Sequence, residues 1–254
     1  MNTVNRPTLI AHRGYSQCYP ENTLIGLEAA LQAGAQCIEF DVQFTADSVP
    51  VVFHDSELKR VTGSEGLIQE TSFAALSQLH AQETERFGEK FSQEPISRLQ
   101  TVLSLVKQWP NATAFVEIKT AVVRYFGEQQ VVRVMMDALK DFQAQCVLIS
   151  FDASVLESAR KAGMSRIGWV IRDWDARSQA RAKTLLPDML FADVDDIGAD
   201  ALWSGPAEKP WQWAVYDVVD PDEALRWFAR GAAFVESWDI GRMLRDSRLG
   251  VESP

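Results

Sequence analysis

Early in the chain, His12, Arg13 and Gly14 close an apolar run, and Pro20-Glu21-Asn22-Thr23, Glu39-Phe40-Asp41 and His54-Asp55 follow. These residue types supply two imidazoles, alternating carboxylates and a guanidinium, the groups needed to break a phosphate ester around a divalent cation. Imidazoles titrate near neutrality, so a pair of them can divide the roles of base and acid. Carboxylates two apart on a strand project to one side, so Glu39 and Asp41 face together while Ile38, Phe40 and Val42 face away. Glu117 and Lys119 repeat that spacing further along. Acidic side chains gathered inside a fold are costly unless something offsets their charge, and a hard cation with oxygen ligands does so. A solvated edge strand would carry the same pattern without any function, a reading that weakens in a closed barrel, which has no edge. His80 lies in a polar stretch and is expected to be solvated and without a catalytic role.

Strands alternating with helices must position these groups. Thr8-Leu9-Ile10-Ala11 reads as a short strand, and the segment 22–33 as a helix with Leu24, Leu27 and Leu31 on one face, capped by Asn22 or Thr23 and stopped at Gly34. Further strands are expected over 37–44, 114–118, 146–151, 167–171, 189–192, 212–216 and 232–236. A shorter extended piece covers 51–54, and helices cover 99–109 and 128–144. Main strands separated by crossover-length segments predict a (β/α)8 TIM barrel, and the whole chain, 1–254, is read as one domain. The stretch 55–97 breaks the rhythm and is expected as a small polar insertion on the rim. The C-terminal ends of barrel strands form the catalytic mouth in this architecture, which is where His12, Glu39, Asp41, Glu117 and Lys119 fall.

Composition narrows the partners. With 254 residues, 46% hydrophobic, the chain can bury a sizeable core. A net charge of −10 argues against nucleic acid and against an anionic membrane surface. The first residues carry no apolar leader and no run is long enough to cross a membrane, so a cytoplasmic protein is expected, its oligomeric state unspecified. Cys18, Cys37 and Cys146 lack metal or redox spacing and are expected as reduced thiols packed like small hydrophobes.

The ordered series His12-Arg13-Gly14, Pro20-Glu21-Asn22-Thr23, Glu39-Phe40-Asp41, Thr45-Ala46-Asp47, Val51-Val52-Phe53-His54-Asp55 and Val116-Glu117-Ile118-Lys119 resembles the glycerophosphodiester phosphodiesterase family. The resemblance covers the first half densely and the second mainly through strand rhythm. It implies a metal-dependent barrel enzyme that hydrolyses deacylated phospholipids to sn-glycerol 3-phosphate and an alcohol, with a small-molecule substrate as its partner. By the matching positions, Glu39, Asp41 and Glu117 would hold one divalent cation, Mg²⁺ or Ca²⁺. His12 and His54 would act as general acid and base, and Arg13 and Lys119 would bind the phosphate.

The chain departs from that family's pattern late, with Trp213-Ala214-Val215-Tyr216-Asp217 and Val235-Glu236-Ser237-Trp238-Asp239 in place of a Trp-Thr-Val-Asn-like seventh strand and a Thr-Asp-like end to the eighth. These strands shape the pocket for the non-reacting part of a substrate. Trp213 either packs against the glycerol moiety or serves as a core residue of its strand. Two other readings stay open here. A lyase of the sphingomyelinase D type also uses two histidines and a metal, but such enzymes tend to be secreted and disulfide-bonded. A non-catalytic binding barrel would be expected to lack a ligand or a histidine, whereas every one of these positions is filled.

Overall fold

Parallel strands close on themselves around a packed interior. The structure, a computed structural model, describes residues 6–197 and 211–250. The opening residues, read above for a leader, lie outside that set up to residue 5. The strands are β1 (Thr8–Ala11), β2 (Cys37–Phe44), β3 (Pro50–Val52), β4 (Thr113–Ile118), β5 (Cys146–Ser150), β6 (Ile167–Ile171), β7 (Met189–Asp193), β8 (Gln212–Tyr216) and β9 (Ala232–Ser237). The ring runs β1-β2-β4-β5-β6-β7-β8-β9 and returns to β1, every neighbour parallel. This is the eight-stranded barrel expected from the sequence. The short piece over 51–54 becomes β3, which pairs antiparallel with the end of β2 outside the ring.

Both faces of the ring are covered, so every residue of β2 is buried. Outward residues such as Ile38, Phe40, Val116 and Ile118 join one large cluster with the surrounding helices. Helix Leu99–Lys107 contributes Leu99, Val102, Leu103 and Val106, and helix Glu128–Leu139 contributes Val131, Met135 and Leu139, spacings that place each set on one helical face. Both helices end before the expected 109 and 144, and a helix at Thr120–Phe126, not foreseen, precedes the second. Inward residues Ile10, Phe115, Val147, Ile149 and Phe191 fill the barrel. The Phe115 ring meets Phe191 edge-on at 5.4 Å and Phe234 at 6.1 Å. Gly168 makes room for this packing, since a Cβ there would lie 2.9 Å from both Ile149 and Phe191. Phe115 and Phe234 each come two residues before an inward acid, Glu117 and Glu236, so an aromatic floor underlies a polar mouth.

The excursion over 55–97 is less polar in its folded organisation than its sequence suggests. One-turn helices at Lys59–Thr62 and Phe73–Leu76 supply Val61 and Leu76 to a separate core with Val51, Phe53, Leu58, Ile68, Ala81 and Ile96, and a third turn, Thr84–Phe87, lies outside it. Each of the first two turns supplies only one or two apolar side chains, which is too few to leave a period in the sequence. His80 is half-buried there and pairs through its backbone with Pro95. Cys37 and Cys146 are buried as expected, but Cys18 is exposed because the turn that carries it lies on the barrel rim. Among the described residues, no helix is long and apolar enough to cross a membrane.

The turn after β1 has the tightest backbone approach near the mouth. Arg13 and Gly14 both adopt positive φ, 54° and 84°. A Cβ on Gly14 would lie 2.7 Å from the backbone carbon of Gly26. Gly14→Ala combines that collision with an unfavourable φ and should destabilise the protein by about 2–4 kcal/mol in urea unfolding; an unchanged midpoint and slope would show that the turn relaxes freely.

Candidate active site

The site begins at the end of β1. Its next residue, His12, donates from Nδ1 to Asp217 Oδ1 at 2.5 Å, which turns Nε2 toward Glu39, 3.9 Å away. Because a carboxylate only accepts, this contact defines which nitrogen carries the proton in the neutral ring and leaves the other toward Glu39. The turn then brings the Arg13 backbone N–H to Glu39 Oε2 at 3.0 Å and the Arg13 Nε to Asp41 Oδ2 at 3.2 Å.

Pro20-Glu21-Asn22-Thr23 is a positioning device in which each polar residue has its own task. Thr23 caps helix Leu24–Gln32, accepting from the Gly26 N–H, so the cap is Thr23 and not Asn22. Asn22, at φ 59°, clamps Asp41 twice: its Nδ2 donates to Oδ2 at 2.8 Å and its Oδ1 accepts from the Asp41 N–H at 3.0 Å. Glu21 sits between two guanidinium groups, with Arg13 at 3.2 Å and Arg60 at 2.6 Å.

Glu39, Asp41 and Glu117 converge as expected from the alternation of β2 and β4. Their residues are only 2%, 1% and 8% exposed, and one oxygen from each lies within 4.8 Å of the others. Lys119 bridges Asp41 at 3.1 Å and Glu117 at 2.8 Å. Glu39 Oε1 is buried with no hydrogen-bond partner among the described residues. An all-oxygen cluster with an orphaned buried carboxylate oxygen fits a hard divalent cation. His54, just beyond β3, donates from Nδ1 to Asp55 Oδ1 at 2.6 Å, and Arg60 holds the other oxygen of Asp55 at 2.6 Å. The His54 carbonyl accepts from Gln43 Nε2 at 2.7 Å, which ties this segment to the inward face of β2. Both histidines, Arg13, Lys119, Glu39 and Glu117 line one cavity of about 290 Å³, which reaches Asp193 and Tyr216 on the opposite strands and Arg172 and Asp196 just beyond them.

Glu236 and Asp217 also belong here, and neither was singled out from sequence. Glu236 lies in β9, buried, its oxygen close enough to His12 and Glu39 to form a second possible ligand group. A lone acid inside an apolar strand was its sequence signal. Asp217 follows β8 and had no such signal, because only closure of the barrel brings it to His12. Trp213 does not line the cavity. It packs in the outer cluster, edge-on to Trp174 at 4.9 Å, because on β8 the inward positions are Ala214 and Tyr216. Of the two places open to it in the sequence, Trp213 occupies the core of its strand and not the cavity wall.

Crowding of acids governs protonation. Burial, reinforced by Asp41 and Glu236, holds Glu39 well above the ordinary carboxylate range. Burial and neighbouring Asp217 and Glu117 push Glu236 up to about 8 despite His12. Burial also opposes ionisation of Asp41, but Lys119 and Arg13 overcome it and keep that carboxylate low. For His12, burial favours the neutral ring, yet Glu236 and Asp217 outweigh it and raise the imidazole to about 10.

A closed parallel barrel with buried carboxylates, two aspartate-held imidazoles and paired cations at its mouth defines a TIM-barrel hydrolase suited to an anionic ester. The chain belongs to the glycerophosphoryl diester phosphodiesterase family, whose model matches residues 12–226. It is 34% identical over 210 residues to a glycerophosphodiester phosphodiesterase of Caldanaerobacter subterraneus subsp. tengcongensis, covering 80% of this chain and 84% of that protein. A phosphodiesterase of Oleispira antarctica, solved in complex with the product sn-glycerol-3-phosphate, superposes with a TM-score of 0.81 at 26% identity, covering 93% of this chain and 95% of that one. The glycerophosphodiester phosphodiesterase of Thermotoga maritima shares the fold, with a TM-score of 0.73 at 24% identity over 93% of this chain and 96% of that one. Phosphoric diester hydrolysis is thus the enzyme activity of this chain.

The buried acids make stability depend on pH. Glu236 has an ordinary value of 4.5 and a folded value near 8, so the folded state incurs no ionisation penalty below about pH 4.5 and incurs it fully above about 8. The raised His12 acts in the same direction, stabilising fully below about 6.5 and ceasing to do so as pH rises through about 10. Chelator-treated protein should therefore melt at progressively lower temperature from pH 5 to pH 9, and Mg²⁺ or Ca²⁺ should restore most of the loss. A flat melting profile without cation would contradict this electrostatic account.

Proposed function

We propose that this chain hydrolyses glycerophosphodiesters, the deacylated forms of phospholipids, to sn-glycerol 3-phosphate and an alcohol, using one divalent cation, Mg²⁺ or Ca²⁺, and two histidines. The observation that carries this reading is the cluster of the Glu39, Asp41 and Glu117 carboxylates beside a single cavity lined by Glu39, Glu117 and two imidazoles, each on an aspartate. Glu39, Asp41 and Glu117 would hold the cation, which when bound offsets negative charge on the non-bridging phosphate oxygens.

Arg13 and Lys119 would take the phosphate. In this structure they lie against Asp41 and Glu117, so their charges already stand beside the acids at the cavity wall. They would stabilise the more negative transition state by charge that these acids hold in position. His12 and His54 transfer protons through Nε2, because Nδ1 of each is committed to Asp217 and Asp55. One ring takes the proton of the attacking oxygen; the other gives a proton to the departing alkoxide. The aspartates favour the protonated imidazole that forms during the first of these transfers, and they hold both rings in orientation.

Release of glycerol 3-phosphate from glycerophosphocholine, glycerophosphoethanolamine and glycerophosphoglycerol, followed with EDTA and then with each cation restored, tests the reading. Activity should vanish with chelator and return with one of the cations; turnover that persists without metal would remove the cation from the mechanism. Glu39→Gln and Asp41→Asn should fall to background release while keeping a native circular dichroism spectrum. His12→Ala and His54→Ala should each lower turnover by about two to four decades, and near-normal turnover of either variant would exclude that histidine from proton transfer.

A further inference from the structure

The catalytic cavity has a neighbour, and the two meet at the reacting residues. His12, Arg13 and Asp217 line the inner cavity and also a groove of about 360 Å³ whose other walls are Ser16, Gln17, Glu21, Arg86 and Trp238. A phosphodiester carries two substituents, so a phosphate held at Arg13 between these spaces directs one substituent into each. We infer that the groove receives the alcohol substituent and that Trp238 is a specificity-determining residue favouring alkylammonium alcohols, choline or ethanolamine, over polyols; this rests on the hydrolysis proposed above.

Lining chemistry separates the two spaces. The inner cavity has an apolar floor of Ile149, Val170 and Phe191, all buried, below the carboxylates Asp193 and Asp196 and the cation Lys119. Such carboxylates accept from hydroxyls, which suits the glycerol arm common to every substrate of this class. The groove is bounded by exposed Gln17 and by Trp238, 37% exposed and among the few large hydrophobic side chains left so on the described surface. Space open to solvent suits the arm that varies.

The charges on the groove's walls are already paired, which leaves the Trp238 ring as the surface that can recognise an ammonium group. Arg13 is engaged by Glu21 and Asp41, and Arg86 is engaged by Glu83 and by the Ser16 carbonyl. Asp217, 40% exposed, is paired with His12 through Oδ1, and Arg86 is exposed to the same extent. An exposed aromatic face on the wall of such a groove is the arrangement that favours an ammonium group. The net charge of −10 disfavours a second anionic group on the substrate. Trp238 is also held in place: its carbonyl accepts from the Gln17 N–H at 2.9 Å, and the next residue, Asp239, caps helix Ile240–Arg245. It stands in the segment Glu236-Ser237-Trp238-Asp239, where the sequence departs from the family pattern.

The test measures kcat and KM for glycerophosphocholine and glycerophosphoglycerol in the wild type, Trp238→Ala and Trp238→Phe, each loaded with the cation that supports activity. Trp238→Ala should raise KM for the choline diester about tenfold and for the glycerol diester less than threefold, with kcat changed by less than twofold, and Trp238→Phe should recover most of the difference. Equal changes for both diesters, or none, would overturn the assignment of Trp238. Asp196→Asn is the opposing control: if it, and not Trp238→Ala, selectively weakens the choline diester, the ammonium arm occupies the inner cavity and the inference is wrong. A wild type that hydrolyses neither diester would instead overturn the proposed function and the inference with it.

Discussion

Concentrating Glu39, Asp41, Glu117 and Glu236 at one end of a closed barrel is the constraint around which the rest of this structure is arranged. Carboxylates without water repel one another and resist ionisation, as the raised values of Glu39, Glu117 and Glu236 show. Arg13 and Lys119 offset part of that charge through Asp41, which alone among the four is held low. The remainder suits a dication. On the proposed function, acids that would be a liability in an inert core would form a site for a cation and an anionic ester together.

Support for that cluster comes from parts of the chain that never touch a reacting atom. Asn22 pins Asp41 from both ends of its amide, and Thr23 starts the helix that holds Asn22 in place. The excursion over 55–97 contributes through its own small core, which fixes Arg60 against Glu21 and Asp55 and so orients His54. Its Arg86 reaches back to the turn after β1. The insertion is therefore a brace for the mouth as well as a rim.

Much of the barrel was legible because its signals are local. Apolar runs of strand length, separated by helical spacing, need only neighbours in sequence to be read, and all eight ring strands lie where that rhythm puts them. The alternation in β2 sends Glu39 and Asp41 inward for the same reason. The one-turn helices of the insertion were not legible, since they are too short to show a period, and the segment's small core is assembled from scattered positions. Trp213 was ambiguous because side-chain direction on β8 depends on register, and the register turns it toward the helices.

By itself the sequence determined the donor types, their order and the parity that faces acids to one side of a strand, because these are properties of residues and of the two-residue repeat. The pairing of His12 with Asp217 and of Glu236 with the acid cluster was decided only in three dimensions, by the closure of β9 on β1 across more than two hundred residues. So was the junction of cavity and groove at Arg13. Such contacts depend on register around the ring, and no local pattern of residues encodes that.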